Sequence, residues 1–157
     1  LAVHPLRSGY LHLRELYKNE IEQALKLVWK VFLEYEAPEY SKHGVDEFYN
    51  SIHDPNYLNR LHWYGAFLNA ELVGIIATRN KGCHIALFFV DGRYHNKGIG
   101  KALFEFIKKD SLTGNISVNS SPFAVPIYHR LGFENTDSEQ ITNGVRYTPI
   151  KLKLPTA

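Results

Sequence analysis

Between His95 and Lys101 the chain reads His-Asn-Lys-Gly-Ile-Gly-Lys, a polar and basic stretch with glycines at 98 and 100. From Gly98 onward the apolar residues Ile99, Ala102, Leu103, Phe106 and Ile107 fall at i, i+3, i+4, i+7 and i+8, which is the spacing of one helical face. The first turn of a helix leaves N–H groups without carbonyl partners and carries the positive end of the helix dipole. Glycines at that point remove side chains that would hold an anion away from those donors. The chemistry suited to this segment is the binding of a phosphate group. Leu87, Phe88, Phe89 and Val90, a wholly apolar strand, deliver the chain into the loop.

Two nucleotide-binding patterns fail on spacing. A Walker loop places Lys-Ser/Thr directly after its second glycine, whereas Gly98 is followed by Ile99 and Gly100. A dinucleotide fingerprint needs a third small residue where Leu103 stands. A second block lies downstream. Ile116 to Ser121 reads as a short strand and Ala124 to Phe133 as a helix. Pro126 must lie in the first turn of that helix, which therefore starts near Pro122 or Phe123, and Gly132 suits the left-handed residue after its last turn.

His95, Asn96, Lys97, Gly98, Ile99 and Gly100, followed by strand, Asn119, short loop and Tyr128-x-x-Leu131-Gly132-Phe133, resemble the cofactor site of the GCN5-related N-acetyltransferase (GNAT) family. His95 stands where that family has Arg or Gln. The resemblance implies an α/β (α+β) fold with a mixed, twisted central sheet of about six to seven strands and helices on both faces. It implies acetyl-CoA as co-substrate, no metal, and direct transfer of the acetyl group to a primary amine. His95 through Lys101 would cradle the pyrophosphate, with Lys97 adding charge. Backbone at Phe89 and Val90 would contact the pantetheine and the reacting carbonyl oxygen, and Asn119 would contact the pantetheine arm. Tyr128 would give a proton to the departing thiolate. His84 begins the strand on which some relatives carry the general base. The segment holding Glu34 and Glu36 lies where the family shapes its acceptor pocket.

Chemistry asks for these parts independently. An alkylammonium is mostly protonated at neutral pH and must lose a proton before it attacks a thioester. Negative charge that develops on the carbonyl oxygen wants a fixed N–H donor. Each residue also has a plainer reading. Tyr128 sits at helical spacing among apolar residues, as a core aromatic would, and Asn119 could cap the loop after it. Glu34, Glu36 and Glu39, interleaved with Tyr35 and Tyr40, could hold a cationic amine or form a solvated helix end. The acceptor stays open between a small molecule and a peptide amine. A non-catalytic acyl-CoA-binding or sensing module on the same scaffold is the competing function.

The elements that position these residues follow from patterning. Tyr10 to Glu15 reads as a strand, and Glu20 to Tyr35 as a helix with Ile21, Leu25, Val28, Phe32 and Tyr35 on one stripe. Pro38 ends it, and a second helix covers Val45 to Ile52. Trp63 to Leu68, Glu71 to Arg79 and His84 to Val90 read as a meander turning at Asn69-Ala70 and Asn80-Lys81-Gly82. Tyr147 to Leu154 alternates apolar and polar residues, a strand with one wet face. With no methionine even at position 1, residues 1–9 are set aside as a disordered or artificially added end, and 10–157 read as one domain.

Composition excludes several classes. A net charge of +2 is too small for a nucleic-acid partner. No apolar run is long enough to span a membrane. A single cysteine, Cys83, excludes an intramolecular disulfide framework and points to a reducing, cytoplasmic setting. A monomer or homodimer is expected.

Overall fold

The computed structural model describes residues 2–6, 9–109, 111 and 114–155. In chain order the elements are β1 (Ala2–Leu6), β2 (Gly9–Glu15), α1 (Ile21–Tyr35), α2 (Lys42–Ile52), α3 (Pro55–Leu58), β3 (His62–Leu68), β4 (Glu71–Arg79) and β5 (His84–Val90). They continue with α4 (Ile99–Lys108), β6 (Asn115–Ser120), α5 (Val125–Arg130), β7 (Glu134–Asn135), β8 (Gln140–Thr142) and β9 (Val145–Lys153). The sheet runs β1-β2-β3-β4-β5-β6-β9-β7, with β8 paired to β9. The mixed sheet and its helices agree with the expected class. Among the described residues the sheet has nine strands where about six to seven were expected, and β1, β7 and β8 lie outside the ranges read from the sequence.

Residues 1–9, set aside from the sequence, contribute β1, which pairs antiparallel with β2 from Ala2↔Leu13 to Leu6↔Gly9. Residues 1, 7 and 8 lie outside the described residues. The second helix begins at Lys42, earlier than expected, because Ser41 caps it by accepting the Gly44 N–H at 3.2 Å. The short α3 is too brief to show a period; Asp54 caps it and Pro55 opens it. The helix of the second block spans only Val125–Arg130, and Gly132 takes the expected left-handed conformation, φ +101°.

Two apolar layers sandwich the sheet. On one face α1 and α2 bury Leu27, Val28, Phe32 and Ile52 against Trp63, Ile75, Leu87 and Phe89. On the other, α4 buries Ile99, Leu103, Phe104 and Ile107 against Leu13, Ile76, Ile85 and Ile116. The buried centre of α1 is Ala24, Leu27, Val28, Val31 and Phe32, while Ile21, Leu25 and Tyr35 flank it half-buried. The stripe read from the sequence captures one edge of that face.

Two features of β5 shape the middle of the sheet. Against β4, Ala77 pairs with Leu87 but Thr78 pairs with Ile85, so Ala86 is an extra, bulged residue. The bulge sends Ile85 and Leu87 to opposite layers. Against β6, β5 pairs in parallel at only His84↔Ser117 and Ile85↔Val118 before the strands part. Every other strand pair is antiparallel.

Helix α2 meets the β8–β9 turn at a backbone crossing. A Cβ on Gly44 would run into the Gly144 carbonyl oxygen, and Gly144 itself has φ +79°. Gly44→Ala should therefore cost about 1–3 kcal/mol, the range for overpacking a fixed contact. Urea unfolding of the variant beside wild type checks this; an unchanged midpoint would mean the crossing is loose.

Candidate functional site

Asp91 follows the last residue of β5 and anchors the turn from Gly92 to Tyr94. Its carboxylate, 4% exposed, accepts from the Arg93 N–H at 3.0 Å, from Arg93 Nε at 3.1 Å and from Nη2 at 3.0 Å. Lys30 of α1 lies 3.6 Å away, and Arg93 also reaches Glu71. The Arg93 hydrogen bonds outweigh burial and hold this carboxyl down at about 2. The turn is thereby tied to both α1 and β4.

His95 is the next fixed point. Its Nε2 lies 2.7 Å from the Val90 carbonyl, and since a carbonyl only accepts, Nε2–H is the donor. The ring packs on Tyr35, with centroids 4.7 Å apart. Asn96 (φ +61°) and Gly98 (φ +86°) are left-handed, which turns the chain into α4. The Ala102 N–H is bonded to the Gly98 carbonyl at 3.0 Å. Helical geometry leaves the preceding N–H groups of Ile99, Gly100 and Lys101 without intrahelical acceptors. A Cβ at Gly98 would meet nothing within 4 Å, so its backbone conformation requires glycine while the space beside it is open. A Cβ at Gly100 would make ordinary contact with Phe88, at 3.5 Å.

These donors face a cleft of about 490 Å³. It runs from the α4 N-terminus, along the end of β5, to the C-terminal end of α1. Phe88, Phe89 and Val90 form one wall and α5 the other. Tyr128 is buried there, edge-on to Phe88 and Phe133 with centroids 6.0 and 5.2 Å apart. Burial, and then the charge of Glu36, push its hydroxyl well above the ordinary tyrosine range. It holds its proton at any physiological pH.

Glu36 enters the cleft from the end of α1 and keeps part of its surface open to it. Removal from water raises its carboxyl to about 7, against the pull of a hydrogen bond with Ser121 and with help from the Glu39 charge. Near neutrality it therefore exists in both protonation states. The same carboxyl, after burial itself, raises the Tyr40 hydroxyl.

The cleft brings together Phe89, Val90, His95, Asn96, Gly98, Ile99, Gly100, Lys101, Tyr128 and Glu36 from the sequence-derived set. Lys97 is exposed and does not line it; Lys101 and Arg130 do, so the cations at the cleft come from α4 and α5. Glu34, one residue before Tyr35, is exposed outside it. His84 and Asn119 line a separate recess of about 140 Å³ with Tyr57, Arg79, Ile85 and Ala86. Burial, with the Arg79 charge, lowers the His84 imidazole to about 4, which keeps it neutral. Arg130 and Ser121 escaped sequence reading as site residues, and Tyr35 entered it not as a site residue but as an aromatic interleaved with Glu34 and Glu36. Arg130 follows Tyr128 by two residues in the second block, a signal that was present; Tyr35 and Ser121 become partners of the site only through folding.

Among the described residues no group of three or more His, Cys, Asp or Glu side chains could hold a metal ion. No helix among them is long and apolar enough to cross a membrane.

The family described as "Acetyltransferase (GNAT) domain" matches residues 36–154. No curated protein matches the chain. Among solved structures, one described as "GCN5-Related N-acetyltransferase: Aminotransferase, Class-II" from Rhodopseudomonas palustris superposes with TM-score 0.80 at 16% identity, over 98% of this chain and 99% of that one. The PaiA N-acetyltransferase of Thermoplasma acidophilum, in complex with coenzyme A, gives 0.68 at 17% identity, over 91% and 98%. A GNAT family acetyltransferase of Elizabethkingia anophelis with acetyl-CoA bound gives 0.64 at 18%, over 92% and 98%. At these identities the likeness is one of fold.

The displaced Glu36 carboxyl has a consequence for stability. Its pKa is raised from 4.5 to about 7 by folding, so between those values the folded chain holds a proton that the unfolded chain has released. Its contribution to stability is present below 4.5 and is lost as pH rises to about 7. Glu36→Gln should match wild type in melting temperature near pH 4 and gain on it steadily up to pH 7. A constant difference across that range would overturn the assignment.

Proposed function

The chain belongs to the GNAT acetyltransferase family, and on that footing we propose that it moves the acetyl group of acetyl-CoA onto a primary amine of a small molecule or peptide. The observation that carries this reading is the cleft between the end of β5 and α5, with the α4 N-terminus at one end and Glu36 and Tyr128 inside it. The residues fit the co-substrate: the space beside Gly98 is open, and apolar β5 walls the middle of the cleft. Acetyl-CoA supplies the activated acyl group as a thioester.

Each part of the chain then has a task. The N–H groups at the start of α4, with Lys101 and Arg130, bind the pyrophosphate. At Phe89 and Val90 the Val90 carbonyl already accepts from His95, and the backbone groups left on the side without a β6 partner take up the amides of the pantetheine arm. Glu36 accepts the proton that the ammonium must lose, a role suited to a carboxyl poised near 7. Tyr128, kept protonated by burial, holds a proton at Oη for the leaving sulfur. We assign the base to Glu36 in preference to His84, because an imidazole at about 4 is a weak base outside the main cleft. His95, in place of Arg or Gln, ties the loop to Val90, which leaves the backbone cradle in its required shape. That local role weakens the case for a non-catalytic module.

Calorimetry with acetyl-CoA tests the cradle. Gly100→Glu is the informative variant, because its backbone is unstrained and a Cβ there has room, whereas any side chain at Gly98 is strained by φ +86°. Wild type should bind and Gly100→Glu should lose about tenfold or more in affinity, a carboxylate facing a phosphate. Failure of folded wild type to bind would sink the reading.

Thiol release over an amine panel tests the chemistry. Tyr128→Phe should lower kcat by about a hundredfold with acetyl-CoA affinity retained, the usual scale for one acid–base group. In wild type kcat/KM should rise with pH through an inflection near 7, and Glu36→Gln should abolish that inflection. An inflection that survives in Glu36→Gln would place the base elsewhere.

A further inference from the structure

The recess beside the bulge takes no part in the proton transfers at Glu36 and Tyr128. It is formed at the end of β4, the start of β5, the C-terminal end of β6 and α3. Strand register explains why its polar residues meet. Arg79 lies opposite His84 in the β4–β5 ladder, and His84 lies opposite Ser117 in the β5–β6 ladder. Asn119 comes two residues after Ser117 and so shares its face. Tyr57 closes the recess from α3.

Arg79 is the unusual member. Arg14, Arg93 and Arg146 each pair with a carboxylate, and Arg60 and Arg130, which form no ion pair among the described residues, are exposed. Arg79 is half-buried, yet among the described residues no carboxylate forms an ion pair with it. A half-buried guanidinium with its planar donor fork open is matched to a carboxylate, which it can bind through two parallel hydrogen bonds. Two more donors stand beside it. Tyr57 is kept protonated by burial, and Asn119 carries an amide. The His84 Nδ1 lies 2.8 Å from Ser117 Oγ, which itself donates to the Cys83 carbonyl at 3.3 Å. The one hydroxyl proton is thus committed, so Nδ1–H is the donor to Ser117 and Nε2 is left with its lone pair.

The place of the recess fits an acceptor. Ala86 and Tyr57 pack with the α1–α2 layer, whereas Tyr128 and α4 belong to the opposite layer. Asn119 precedes Ser121, the partner of Glu36, by two residues, roughly 7 Å along an extended strand. An acceptor with its nitrogen at Glu36 and its far end in the recess must therefore be at least about that long. We propose that Arg79, Tyr57 and Asn119 form a carboxylate-binding subsite, so that the preferred acceptor is an amine bearing a carboxylate several bonds from its nitrogen. This rests on the acetyl-transfer reading and names its substrate class.

The test compares 5-aminopentanoate with pentylamine, equal in chain length and differing in the carboxylate. Thiol release with acetyl-CoA should give a kcat/KM about tenfold or more higher for 5-aminopentanoate, the scale of a charge-assisted hydrogen bond. In Arg79→Gln the ratio should fall to about one, mainly through KM, and Tyr57→Phe should lower it by a smaller factor. Equal rates in wild type, or a ratio that persists in Arg79→Gln, overturn the subsite. Circular dichroism establishes that the variants fold; should Arg79→Gln fail to, Tyr57→Phe and a titration of His84 decide. In that titration the imidazole is monitored by NMR in wild type with pentanoate or pentylamine added. A bound anion favours the imidazolium, so pentanoate should raise its pKa from about 4 and pentylamine should not. If acetyl-CoA binds but neither amine is acetylated, transfer to such amines fails as a reading. The pentanoate titration then judges the subsite alone: a rise supports it and no rise overturns it.

Discussion

The structure depends on a sheet that comes apart in the middle. β5 and β6 share only two paired positions, and beyond them each strand is held by its other neighbour, β4 or β9. Backbone groups without a ladder partner are costly when dry, so a gap of this kind is tolerable only where water or a ligand can reach it. The gap is kept open from both sides. The bulge at Ala86 redirects β5, and the Asp91 network locks the end of that strand to α1 and β4. The α4 N-terminus is delivered to the same place by the left-handed Asn96 and Gly98.

Burial around the gap sorts protons. Glu36 is lifted to about 7, the Tyr128 hydroxyl is pushed upward, and His84 falls to about 4. Removal from water heads the causes of all three shifts, and it acts against whichever form carries charge. Glu36 also acts on Tyr128, because a carboxylate near a phenol makes a second negative charge harder to form. The outcome is an acid that stays protonated beside a carboxyl that can lose its proton at neutral pH. Asp91 shows the contrary case. It too is buried, but the Arg93 hydrogen bonds keep it ionised and structural.

Much of the site was legible in the chain because it is local. The helical face from Ile99 to Ile107, the basic loop before it and the Tyr-x-x-Leu-Gly-Phe block are contiguous, and each keeps its geometry wherever it is placed. The limits of local reading are equally physical. Lys97 belongs to the loop but is exposed outside the cleft, while Arg130 reaches it from α5. Asn119 and His84 sit on strands that pass the cleft, yet their side chains line the recess with Arg79. Which face a strand residue takes depends on register and bulges, and Ala86 shifts that register without any mark in the apolar run around it.

From residue order alone came the main elements from β2 to β9 (save α3, β7 and β8), the glycine-bearing loop that opens α4, and the family. All three rest on periodicity and short spacings, which act over a turn or a strand. Folding settled the remainder. It drew β1 from a segment that no pattern had marked, and it set Glu36 from the end of α1 against Ser121 and Tyr128. It also left Arg79 without a carboxylate among the described residues. Desolvation and charge partnership are properties of neighbours distant in the chain, so the proton inventory of the site existed only once the two layers had closed on the sheet.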